Sequence, residues 1–111
     1  MNVQASDVSA AFGAFLKEAP GHADAWMGAV KGLDAAGALD KKTAHVAYLA
    51  VLAALRMESG VPFHVKLAKA AGASRDEVVS ALLIGLPAAG LGVTQVLPSA
   101  LQAYDADGVV P

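Results

Sequence analysis

The chain has 111 residues, 56% of them hydrophobic and 16% charged, with eight basic and ten acidic side chains and no cysteine. Ordinary globular chains carry roughly 25% charged residues, so a lone domain of this kind has too few charges to coat itself, and part of its surface is expected to meet other copies or lipid. The near-balanced charge, with no basic cluster beyond Lys41-Lys42, excludes an electrostatic footprint for nucleic acid, and the missing thiols exclude disulfides, thiolate metal sites and cysteine nucleophiles.

The length suits one domain over residues 1–111. Ser6 and Asp7 are good N-cap residues before the helically spaced apolar set Val8, Ala11, Phe12, Phe15 and Leu16. Pro20-Gly21 is expected to end that segment. A second helix is predicted from about Ala23 to Ala36, with Trp26, Met27, Val30 and Leu33 on one face and Gly37 as its stop. Asp40 then caps a third helix that is apolar nearly throughout from Thr43 to Leu55. A helix hydrophobic all round is buried on all sides, so this one is expected at the centre.

Glu58-Ser59-Gly60 breaks the pattern, and Pro62 fits the first turn of a fourth helix, where a missing N–H costs nothing. That helix carries Phe63, His64, Leu67, Ala68 and Ala71, with Lys66 and Lys69 expected outward, and Gly72 ends it. Ser74 and Glu77 spell a capping box before a helix from Val78 to Leu86. Pro87 kinks or ends it, Gly90-Leu91-Gly92 makes a turn, and a last helix runs from about Val93 to Tyr104. No segment alternates with a period of two, so the fold class is all-α, a bundle of about six helices.

Val78 to Tyr104 is 27 residues without a charge, longer than the ~20 apolar residues of a membrane-spanning helix. Its Pro and Gly residues divide it into segments too short to span, so a buried helix pair is expected, with no membrane partner. The N-terminus lacks the basic-then-apolar pattern of a secretory signal, and the protein is read as cytoplasmic.

Order and spacing of several short runs carry more information than any one of them. Gly37-Ala38-Leu39-Asp40-Lys41-Lys42-Thr43 precedes an apolar helix, which is followed by His64, Ala68, Gly72-Ala73-Ser74, Glu77-Val78 and Ala88-Ala89-Gly90. Over residues 37–90 this resembles the carboxymuconolactone decarboxylase / alkylhydroperoxidase D family, and Phe12, Phe15 and Trp26 fit its looser upstream pattern. The resemblance implies a compact helical bundle that assembles into homotrimers or homohexamers. The family's redox members carry Cys-x-x-Cys and, after three more residues, His, with a Glu on the preceding helix; Glu and His relay protons to the thiol.

Here the two cysteine positions hold Met57 and Gly60, and the upstream Glu falls at His45, twelve residues before Met57. A peroxidase cycle needs a thiolate to attack peroxide and a second thiol to resolve the product, so that chemistry is excluded. His64 alone remains of the four redox positions. An imidazole titrates near neutral pH and suits general acid–base work; the plainer reading is a histidine at a helix start, bonded to a nearby carbonyl. His45 needs a partner if buried and would otherwise be a second proton-transfer group. His45 lies about 18 Å along the helix from Met57, and a simple antiparallel hairpin would set His64 against the last turns of that helix. Spacing within one chain therefore does not bring the pair together, whereas the resemblance implies that they converge.

Arg56 suits a carboxylate ligand through a bidentate contact, and Glu58 lies beside it; both are candidate substrate-binding residues, although a cation at a helix C-terminus is also favourable in its own right. No metal-ligand spacing is present and no metal or other cofactor is expected. Trp26, Phe12, Phe15, Phe63 and Tyr48 read as core or interface. Two functions remain: a lyase-like enzyme acting on a small organic acid or lactone through His64 and His45, or a catalytically silent oligomer that binds a small molecule.

Overall fold

In the computed structural model, described over residues 8–106, every regular element among those residues is helical. They are α1 (Ala10–Glu18), α2 (Pro20–Ala36), α3 (Lys41–Ala54), α4 (Val61–Ala70), α5 (Arg75–Leu83), the single turn α6 (Leu86–Ala89) and α7 (Leu97–Ala106). Short 3-10 segments, Glu58–Gly60 and Leu91–Val96, join α3 to α4 and α6 to α7.

Local chemistry sets most of these boundaries. Asp40 accepts from the Thr43 amide at 2.8 Å, satisfying one of the orphan donors at a helix start. Ser74 accepts from the Glu77 amide at 3.1 Å while the Glu77 carboxylate accepts from the Ser74 amide at 2.8 Å, which completes the capping box. Gly72 closes α4 at φ 100°, a left-handed conformation glycine adopts without a Cβ penalty. Ser9, not Ser6 or Asp7, caps α1; the latter two fall outside the described residues. Pro20 does not simply end α1 but opens α2, three residues earlier than the apolar spacing suggests, because its fixed φ suits the first helical turn. Residues 78–86 do not form one helix: α5 stops at Leu83, and Pro87 sits in the first turn of α6.

The core is built by α3, α4, α5, α7 and the second 3-10 segment. Leu49, Leu52, Val61, Val65, Val78, Leu82, Val93 and Val96 fill it, with Ala53, Ala68 and Ala100 at the close approaches. Two expectations fail here. α3 is not enclosed on all sides, since Tyr48, Val51 and Leu55 lie exposed along one face. Lys66 is buried rather than outward. The end of α7 is latched to the α4–α5 turn. Lys69 Nζ donates to the Tyr104 carbonyl at 2.7 Å and lies over its ring at 4.5 Å, Tyr104 donates to the Ala73 carbonyl at 2.8 Å, and Arg75 grips Asp105 at 2.9 and 3.0 Å. Arg75 in turn holds the Asp105 carboxyl below its usual range. No described helix is long and apolar enough to cross a membrane.

Candidate functional site

His64 lies in the first turn of α4, in a helix whose start is fixed by Pro62. Its ring is half-buried and packs against the Tyr48 ring on α3 at 4.6 Å between centroids, inclined by 46°. Phe63 stands edge-on to it at 5.2 Å. Among the described residues neither ring nitrogen of His64 has a hydrogen-bond partner. The imidazole is therefore not a core histidine tied to a carbonyl.

Two causes favour its neutral form. Burial, the larger, removes water from the cation, and the positive charge available on His45 opposes a second one. The second cause agrees with the packing of the two helices. His45 and His64 sit within electrostatic reach inside one chain, although helix arithmetic places His45 three turns from Met57. The discrepancy arises because α4 returns along α3 far enough for His64 to meet Tyr48, and Tyr48 lies one turn from His45 on the same face. Tyr48, 47% exposed, is thus not core but a neighbour of the imidazole. The spacing His45-x-x-Tyr48 is the signal that could have marked it.

The linkage sign follows directly. His64 has its native pKa depressed below its unfolded value, so on acidification the unfolded chain takes up the proton first. Stability is present above the unfolded value near 6.5 and is lost as pH falls through the native one. An NMR titration of the imidazole carbons is expected to show His64 titrating below ordinary histidine. In His45→Ala it should move up only part of the way, because burial is the larger cause. A full return to the ordinary value would show that burial contributes nothing.

Arg56 and Glu58 are not drawn into this pair; the charge that bears on His64 is that of His45. Arg56 follows α3 at φ 57°, the one non-glycine with positive φ among the described residues. Its amide donates to the Ala53 carbonyl at 3.1 Å and the Met57 amide to the Leu52 carbonyl at 2.9 Å, the two bonds of a Schellman stop, whose left-handed position normally holds glycine. The guanidinium lies against Gly92, so close that a Cβ there would fall 2.6 Å from Cζ. Left-handed backbone costs a residue with a Cβ roughly 1–2 kcal/mol. Arg56→Gly is accordingly expected to raise the thermal midpoint, by about 1 kcal/mol of stability; an unchanged or lower midpoint in calorimetry would show that the packing on Gly92 outweighs the strain.

Met57 and Glu58 are exposed in the link between α3 and α4, and Gly60 ends its 3-10 turn with the Leu52 side chain nearby. Among the described residues no three His, Asp or Glu side chains are placed to hold a metal ion. A separate open groove of about 530 Å³ runs between α3 and α5, lined by Thr43, Val46, Ala47, Asp76, Glu77, Ser80, Ala81 and Ile84. It uses the opposite side of α3 from His45 and Tyr48.

A family model described as the carboxymuconolactone decarboxylase family matches residues 20–105. The chain belongs to the carboxymuconolactone decarboxylase family. No curated protein matches it. The match extends well beyond residues 37–90, where the motifs are densest, and takes in α2 through nearly all of α7. Membership and the all-helical fold agree, and the absence of cysteine sets this member apart from the family's thiol-dependent chemistry.

Proposed function

We propose that this carboxymuconolactone decarboxylase-family protein is a lyase that acts on a small organic acid or lactone by proton transfer, with His64 as the acid–base group and His45 as its helper. The observation that carries the reading is a half-buried imidazole with no hydrogen-bond partner among the described residues, packed on Tyr48 and within electrostatic reach of a second imidazole. In a decarboxylation the bond to the carboxylate breaks, its electron pair passes into the conjugated carbonyl of the substrate, and carbon dioxide leaves. A proton must then reach carbon. An imidazolium whose charged form is disfavoured by its surroundings is a stronger acid than free histidine, which suits His64 to that delivery. Arg56 is the candidate holder for the substrate carboxylate, with Glu58 beside it. Arg56 is exposed, lacks a carboxylate partner among the described residues, and keeps a backbone conformation that glycine would hold more cheaply. Residues kept under strain concentrate at functional sites.

The reading extends to a homotrimer or homohexamer in the cytoplasm, supported by the low charged fraction. The direct test is decarboxylation of a carboxymuconolactone-type substrate, followed as carbon dioxide release by wild type and by a folded His64 variant. The competing reading, a silent oligomer that binds a small molecule, draws on the apolar groove between α3 and α5, which lies apart from the imidazoles. Ligand binding that survives loss of His64, with no turnover in wild type, would favour it.

A further inference from the structure

A histidine that moves protons is usually oriented by a hydrogen bond: one ring nitrogen is tied to a carbonyl or carboxylate, and the other faces the reacting group. His64 has no such tie among the described residues, and His45 acts on it through charge. Two aromatic rings flank it instead. Tyr48 lies 4.6 Å away between centroids, inclined by 46°, and Phe63 stands edge-on at 5.2 Å. Both separations fall within the about 4.5–7 Å that aromatic pairs prefer. The two rings are not equivalent. Phe63 precedes His64 on α4 and travels with it, so it cannot fix the imidazole against another element. Tyr48 belongs to α3, in a turn anchored by the fully buried Leu49. It ties the imidazole to the helix that also carries His45.

We propose that Tyr48 is the positioning residue of this site: its ring, in place of a hydrogen bond, fixes the His64 imidazole relative to α3 and leaves Nδ1 and Nε2 both open. A hydrogen-bonded histidine commits one nitrogen to its partner. An imidazole held by ring contact commits neither. It can deliver a proton to carbon from one nitrogen and take its replacement from water at the other. The Tyr48 hydroxyl has no part in this, so phenylalanine should serve as well as tyrosine. The inference rests on the reading of His64 as the acid–base group. One arm of its test reads geometry alone, so failure of that reading and failure of the inference are distinguishable.

Tyr48→Leu, Tyr48→Phe and, as control, Val51→Ala are compared with wild type. Tyr48 and Val51 are each about half exposed on α3, so these changes leave the core intact and the thermal midpoint is expected to stay close to that of wild type. In proton NMR, the Tyr48 ring current displaces the His64 Hδ2 and Hε1 resonances. That displacement is expected to shrink in Tyr48→Leu and to persist in Tyr48→Phe and Val51→Ala. The nitrogen shifts of neutral His64 are expected to show two exchanging tautomers. Unchanged His64 resonances in Tyr48→Leu, or a single locked tautomer in wild type, overturn the proposal. In turnover of a carboxymuconolactone-type substrate, Tyr48→Leu should lower kcat by about 10–100-fold with KM little changed, the loss expected of a misplaced reacting group, and Tyr48→Phe should restore it. Wild-type kcat in Tyr48→Leu, a loss that phenylalanine does not restore, or an equal loss in Val51→Ala overturns the positioning role. Absence of turnover in wild type sinks the reading of His64, and the resonances then decide what holds the ring.

Discussion

Replacing His64 with alanine or glutamine is expected to lower turnover of a carboxymuconolactone-type substrate by about 10²–10⁴-fold, the range a positioned general acid or base contributes. The loss should appear in kcat as well as kcat/KM, since proton delivery strengthens in the transition state rather than in binding. Wild-type kcat/KM should fall as pH rises through an apparent pKa below the ordinary histidine value of about 6.5, because the acid must be protonated and its native environment disfavours the charge. His45→Ala should lower turnover less than loss of His64 does and should move that limb toward higher pH, since it removes both the helper and one of the two causes of the depression. Retained turnover in a folded His64→Ala protein would end the assignment. A flat pH profile through this region would show that the rate-limiting proton comes from elsewhere.

Leu82→Ala is expected to cost about 3–5 kcal/mol, the upper range for truncating a fully enclosed leucine. Leu82 lies on α5 with no exposed surface and belongs to the core shared with α3, α4 and α7. Asp40 caps the start of α3 and the Lys69–Tyr104 and Tyr104–Ala73 bonds tie the end of α7 to the α4–α5 turn, so these neighbours relax little into the void. Set against a total stability of about 5–15 kcal/mol for a domain, the change should be plain in a urea or thermal melt. Truncation of the exposed Ile84, the residue that follows the end of the same helix, is the control and should change stability by about 0.5 kcal/mol or less. Comparable losses at the two positions would contradict the placement of α5.

The parts of the fold legible in the sequence are those fixed by neighbouring residues. Asp40, Ser74 with Glu77, Pro62 and Gly72 each act through bonds or dihedrals within a few positions, and each sits where its chemistry requires. What was not legible depends on how far one helix travels along another. The meeting of His64 with Tyr48, and through it His45, follows from the return path of α4 along α3, which local spacing does not encode. Burial of Lys66 is likewise not a property of the Lys-x-x-Lys spacing. The exposure of Tyr48, Val51 and Leu55 misled the reading of α3 for a different reason: an apolar run looks alike whether its own chain covers every face or leaves one open. Arg56 broke a statistical habit, because nothing in an arginine announces a left-handed backbone. Gly92, which leaves room for its guanidinium, lies 36 positions on.

The latch at the end of α7 gives that helix an all-or-none character. The acceptor for Lys69, the donor to Ala73 and the anchor for Arg75 occupy two adjacent residues, Tyr104 and Asp105. Unravelling a single terminal turn therefore breaks every one of these ties at once, and no partial detachment keeps some and spares others. The same turn steadies the far end of α4, so fraying there would be transmitted down a ten-residue rod to the imidazole at its opposite tip.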